Sequence, residues 1–216
     1  MNKKESLILL NSFFYSFLVA FSTLEFIFLL PVLIALYFER EYLVVIFKKL
    51  ILVNFFIVVL VLFVSFQNID EAIVLFIRTN LILLFNITLF HKSKGYDIVR
   101  GLDAVGFPAK VVSVFYFSLT LINFLTKDFK ETKNTLKSRG FKSSTSLFTY
   151  QTYGNIFGMI FVKALKKSED MRYSMVSRGF ENKIYFLSTS TIGSMQKILS
   201  ISLVLLLGKV LYELFY

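Results

Sequence analysis

The sequence predicts an all-α, polytopic membrane protein, with about five transmembrane helices and further long helices outside the bilayer. Three observations carry this reading. The chain is 56% hydrophobic, with 27 Phe, only 2 Pro and a mean hydropathy of +0.69 over 216 residues, whereas soluble domains hold roughly 45 to 50% apolar residues. Its apolar residues gather into runs of bilayer length. Its charge is concentrated: residues 92–183 hold 16 Lys and Arg against 7 Asp and Glu, so +9 of the net +10 lies in one block.

The first apolar run covers residues 6–38. As one helix its 33 residues are about 50 Å long, against a hydrocarbon core of about 30 Å. A break at Ser22, Thr23 and Glu25 resolves the excess, giving helices at 7–21 and 26–38 joined by a tight turn. A third span fits 50–66 and a fourth fits 72–90. The last falls within 184–214 and is interrupted by the polar run STSTIGSMQK. The apolar start lacks the small-residue cleavage site of a secretory signal and is followed by more spans, so it is expected to remain a span.

Orientation follows from the Lys and Arg of the short loops. Lys3 and Lys4 lie at the start, and Arg40, Lys48 and Lys49 between spans two and three. The opposite loops carry Glu25 alone and QNIDE, without Lys or Arg. The expected topology is therefore a cytoplasmic N-terminus, a cytoplasmic basic block and a Tyr216 that ends outside. This parity requires the first 38 residues to cross twice. Three regions result: 1–91 with membrane helices one to four, 92–183 as a cytoplasmic helical region, and 184–216 with the last membrane helix.

Within the basic block, residues 95–106 read as a short helix broken at GFP, where Pro108 restricts the residue before it and can open the next helix. From Ala109 to Arg139 the chain reads as one long helix without internal Gly or Pro, apolar in its first half and charged in its second. A second long helix covers about 146–178. Each ends at Arg-Gly, suiting a left-handed stop at Gly140 and Gly179 with a cation at the negative end of the helix dipole.

The tetrapeptide SRGF closes both helices, and the likeness extends backwards. Aligning KDFKETKNTLKSRGF with KKSEDMRYSMVSRGF, 39 residues further on, gives nine of fifteen positions identical or similar. A helix stop used twice explains the glycines. It does not explain the charged faces that come with them. Duplicated docking ends are what a single chain needs to engage a two-fold symmetric partner.

These residues resemble the transmembrane T component of energy-coupling factor (ECF) transporters, ABC-type importers whose mark is a pair of Ala-Arg-Gly motifs ending two cytoplasmic coupling helices. The counterparts here are Ser138-Arg139-Gly140 and Ser177-Arg178-Gly179, a small-for-small change at the first position of each. LFIRTNLILL, GLDAVGFPAKVV and YGNIFGMIFVKALKKSEDMRYSMVSRGF follow in the family's order from Arg78 to Phe180, and the last is most similar to the cobalt/nickel branch. The resemblance implies an L-shaped helical scaffold in the bacterial cytoplasmic membrane. Two ATP-binding cassette ATPases would bind it below, a substrate-binding S component beside it, and ATP with Mg would sit on the ATPases. No cofactor, metal or nucleic acid is then expected on this chain.

Other classes fit less well. With no Cys and a single His, a Cys/His metal cage is excluded, and no paired acids or nucleophile-base pattern points to an enzyme. Gly101 to Gly106 supplies the glycine half of a phosphate loop, but Phe107 and Pro108 stand where Lys and Ser/Thr belong. The rival reading is a membrane scaffold or assembly protein whose basic block binds anionic lipid or RNA. KETKNTLKSR and KKSEDMR mix acids with bases at helical spacing, which suits a protein groove better than a polyanion. Arg78 lies within span four, where a charge needs a partner, and Asn54, Asn80 and Asn86 are the candidates. Arg78 and Pro108 are therefore candidate tethering or gating positions. His91 is expected to be merely interfacial, beside Lys92 and Lys94.

Overall fold

The structure is a computed structural model and describes residues 3–23, 25–187 and 192–215. Among them are helices and connecting turns and no strand. The chain divides into two compact units, one of residues 1–106 with 186–216 and the other of residues 107–185.

The first unit contains α1 (Lys3–Phe21), α2 (Leu29–Phe38) preceded by a 3-10 turn (Phe26–Phe28), α3 (Leu43–Ser65), α4 (Ile69–Phe90), α5 (Gly95–Val105) and α8 (Ser194–Phe215). The break expected at Ser22–Glu25 is present: α1 ends at Phe21, and the Ser22 N–H and hydroxyl both donate to Leu18 O. Tyr15 then fixes the turn from below. Its ring lies 4.1 Å from that of Phe85 and its hydroxyl donates to Phe28 O at 3.0 Å. The core is shared by α1, α2, α4 and α8, with Val19, Val32, Phe85 and Leu199 at its centre. By contrast α3 packs against α4 on one side and turns Leu52, Phe55 and Phe63 outward, the distribution of a helix whose solvent is hydrocarbon. Polar side chains inside the bundle pair with one another. Asn86 bonds Ser12 and Ser16, Asn54 donates to Asn80 at 2.7 Å, and Ser200 donates to Asn11 at 3.1 Å.

Short α5 lies against α1 at close range. A Cβ on Gly101 would sit 2.9 Å from the Glu5 carbonyl oxygen, so only glycine permits the approach. The N-terminal turn of α5 is held by Asp97, which accepts the Lys94 N–H at 2.8 Å, and Gly106 ends it left-handed at φ +101°.

Lys4, Glu39, Lys92, Asp97 and Gln196 surround one small cavity at one end of this unit. At the other end Lys209 pairs with Glu25, and Arg78 shares a cavity with Asp70 and Glu71.

Among the described residues five helices are long and apolar enough to cross a membrane, but they are not the five expected. Helix 26–38 is too short by that measure. By length and composition α6 (Ala109–Ser138), which was expected outside the bilayer, meets it instead, with no charged residue between Lys110 and Lys127. The third span starts earlier than expected as well. Lys48 and Lys49 lie inside α3 with exposed side chains, so they lengthen the helix instead of preceding it. Part of the polar run STSTIGSMQK, residues 188–191, and Tyr216 lie outside the described residues; α8 begins at Ser194.

The second unit is a pair of long helices, α6 and α7 (Leu147–Ser177). Pro108 caps α6, its carbonyl accepting from Val111 N at 2.9 Å. Ser146 caps α7, its hydroxyl accepting from Thr149 N at 3.3 Å. The two helices run antiparallel. Phe117 meets Phe180 with ring centroids 5.5 Å apart, Lys167 lies 5.1 Å over Phe124, and Asp128 pairs with Lys163 at 3.1 Å, so partners fall along α7 as they rise along α6.

Candidate functional site

The Ser-Arg-Gly segments close α6 and α7 with the same geometry. Arg139 keeps a near-helical backbone (φ −83°, ψ 9°) and Gly140 turns left-handed at φ +83°. Phe141 N–H then donates to Leu136 O, and Gly140 N–H to Lys137 O, both at 3.0 Å. In α7, Arg178 has φ −95° and ψ 5°, with Gly179 at φ +69°. Phe180 N–H donates to Met175 O at 3.1 Å and Gly179 N–H to Val176 O at 3.0 Å. This crossed pair of bonds is the Schellman closure, which satisfies carbonyls that a helix end otherwise leaves without donors.

Each residue of the tetrapeptide has a part in it. The serines bond back one turn, Ser138 Oγ to Asn134 O at 3.1 Å and Ser177 Oγ to Tyr173 O at 2.9 Å. The glycines are required by backbone conformation alone, since a Cβ on Gly140 or Gly179 would meet nothing within 4 Å. Phe141 and Phe180 occupy the apolar position that seals the motif, and they are half-buried together with Leu136 and Met175. The phenylalanine, present in both copies, had been given no role in the sequence reading.

Only the arginines are left over. Both are exposed, and among the described residues neither guanidinium has a hydrogen bond or an ion pair. Nor does the structure bring them together. Because Phe180 rests on Phe117, Arg178 sits near the start of α6 while Arg139 ends it 22 residues later, which places the tips roughly 33 Å apart at 1.5 Å per residue. The hairpin presents two separate, permanently charged forks, each held at a fixed helix end.

The profile of the family described as CbiQ, cobalt transport protein, matches residues 6–210 and so takes in both closures. The chain belongs to the CbiQ cobalt transport protein family. A search of curated proteins finds no match. CbiQ is a transport-protein family, and with five helices of membrane length this member is a multi-pass membrane protein.

The other candidate residues of this CbiQ chain divide differently from expectation. Arg78 does not use Asn54, Asn80 or Asn86. Those amides are committed to each other, to Ser12 and Ser16, and to carbonyls of their own helix. Arg78 instead donates to Ala20 O at 3.1 Å and Ser22 O at 2.9 Å, capping the last turn of α1. A cation at that negative helix end is a tether between α4 and α1. Pro108 fixes the start of α6. The His91 side chain, 4% exposed, is enclosed by its neighbours. Its ring stands 5.0 Å from Tyr42, with Nδ1 2.9 Å from Thr88 O and Nε2 3.4 Å from Glu39. Among the described residues no group of three or more His, Asp and Glu side chains comes together as a metal cage.

Proposed function

We propose that this chain is the T component of an ECF-type importer, the membrane scaffold through which two ATP-binding cassette ATPases drive uptake of cobalt or nickel ion held by a separate S component. In this reading the N-terminus and the Arg139 and Arg178 tips face the cytoplasm. ATP and Mg belong to the ATPases, and the ion is cargo of the S component.

One observation carries the proposal. Two helices end in the same four residues with the same backbone closure, and each leaves its arginine exposed and unpaired at opposite ends of one hairpin. A helix stop needs only the glycine. The duplicated Arg fork, by contrast, suits two equivalent acidic grooves, since guanidinium meets carboxylate in bidentate fashion. Removing one partner of a desolvated pair costs about 2 to 5 kcal/mol, whereas losing the dipole interaction of a mere stop costs about 0.3 to 1 kcal/mol.

The test is co-purification of the ATPases with Arg139→Glu, Arg178→Glu and the double variant, with membrane insertion verified for each. Each single variant is expected to retain the ATPases weakly, because the second contact still holds by linked binding. The double variant is expected to lose them. Full ATPase recovery and full transport with both arginines reversed would reject the coupling role.

A further inference from the structure

The two helix closures share a backbone but not their surroundings. With the repeat in register, 39 residues apart, Lys130, Asn134, Lys137 and Lys142 of the α6 end correspond to Glu169, Tyr173, Val176 and Glu181 of the α7 end. All eight are exposed. Two lysines of the first copy stand as glutamates in the second, and a third lysine and an amide stand as apolar residues. Residues 127–142 carry six Lys and Arg against two Asp and Glu, a net +4, whereas residues 166–181 carry four against three, a net +1.

At the α6 end the two acids are already engaged, Asp128 with Lys163 at 3.1 Å and Glu131 with Lys127 at 3.9 Å. Among the described residues Lys130, Lys133, Lys137 and Lys142 make no ion pair. The first three share one helix face that leads to Arg139, and the fourth follows the turn. At the α7 end Tyr173 and Val176 lie one turn apart and are 64% and 71% exposed. Val176 also lines an open groove of about 600 Å³ with Phe117 and Leu121 of α6 on one wall and Met171 and Met175 of α7 on the other; Arg172 and Asn182 add polar atoms to it. Thioethers let such a surface adapt to an apolar partner.

We infer that the two tips dock by unlike chemistry. The inference rests on the scaffold reading above, in which each arginine enters an ATPase groove; that contact is common to both ends. Around it, the α6 end meets additional carboxylates of its ATPase through Lys130, Lys133, Lys137 and Lys142. The α7 end meets apolar side chains of its ATPase through Tyr173, Val176 and the methionine wall of the groove. Charge complementarity selects the first surface, since like charges held along one helix face are relieved only by acids opposite them. Burial of apolar area selects the second, since it is non-directional and independent of the charge beside it. The α6 contact is therefore weakened by salt and the α7 contact is not.

The full chain is placed in phosphatidylcholine nanodiscs, which carry no net lipid charge, and titrated with the ATPases purified from its own complex. Arg178→Glu leaves the α6 contact to be measured, and Arg139→Glu leaves the α7 contact. Between about 0.05 M and about 0.5 M NaCl the screening length falls from roughly 14 Å to roughly 4 Å. Over that range the Kd of the Arg178→Glu chain is expected to rise about tenfold and that of the Arg139→Glu chain less than about twofold. Adding Lys130→Gln, Lys137→Gln and Lys142→Gln to the Arg178→Glu chain is expected to flatten its salt dependence. Adding Tyr173→Ser and Val176→Ser to the Arg139→Glu chain is expected to raise Kd about tenfold at both salt concentrations. If a single arginine variant binds too weakly to titrate, the same lysine and Tyr/Val changes are compared in the chain with both arginines, where only the lysine changes should flatten the salt dependence. Failure of the ATPases to bind the unaltered chain would reject the scaffold reading itself and this inference with it. Equal salt dependence at the two ends, or a salt dependence at the α6 end that survives neutralisation of its lysines, would overturn this inference alone.

Discussion

Replacing Gly140 or Gly179 with Ala separates the backbone requirement of the helix closures from any crowding around them. A Cβ at either position meets nothing within 4 Å, so the cost is conformational alone. Holding an L-residue at φ near +83° or +69° costs about 1 to 2 kcal/mol. The smaller freedom of alanine in the unfolded chain returns about 0.4 to 1 kcal/mol. The net is about 1 kcal/mol at each end, or about fivefold in the local opening equilibrium. The amides that report it are those of Phe141 and Phe180, which donate the outer bonds of the two closures. Hydrogen exchange of the full chain in detergent is expected to speed up about fivefold at Phe141 in Gly140→Ala and at Phe180 in Gly179→Ala. Asn, which tolerates the left-handed region better, is expected to cost less. Since the two ends lie roughly 33 Å apart along the hairpin, the effects should be independent, and the double variant should show both at unchanged size. Unaltered exchange in both alanine variants would refute the reasoning, as would loosening of the end that was not mutated.

Two further substitutions test the first unit. Gly101→Ala should loosen α5 from α1 by about 1 to 3 kcal/mol, because the Leu9 methyl can move aside but the Glu5 carbonyl at 2.9 Å is backbone; an unchanged thermal midpoint in detergent would contradict this close approach. A double-mutant cycle of Asn54→Leu and Asn80→Leu should return a coupling of about 0.6 kcal/mol from their 2.7 Å bond, and a coupling of zero by equilibrium unfolding would mean that the amides do not act as a pair.

Class, helix positions and the repeated closure were legible in the residues because each rests on local chemistry. Apolar run length marks most of the membrane-length helices, though α6 was expected outside the bilayer and helix 26–38 within it. Gly140 and Gly179, each following a long helical stretch, mark left-handed stops by their own lack of a Cβ, and the polar residues Ser22, Thr23 and Glu25 mark the break after α1. Pairing was not legible. Nothing in the sequence says that Arg78 reaches carbonyls 56 and 58 residues earlier instead of an Asn in its own span, that Glu25 meets Lys209 across 184 positions, or that His91 is enclosed beside Glu39. Those choices depend on which helices become neighbours and at what rotation, quantities fixed by packing over the whole bundle. The two arginine tips show the division most clearly. Their identity as equivalent helix ends follows from four residues each, but their separation follows from the antiparallel pairing of α6 and α7, where Phe180 settles on Phe117 and Lys163 on Asp128. That pairing also creates the groove between Phe117 and Leu121 of α6 and Met171 and Met175 of α7, because a surface made by two helices exists only once both have found each other.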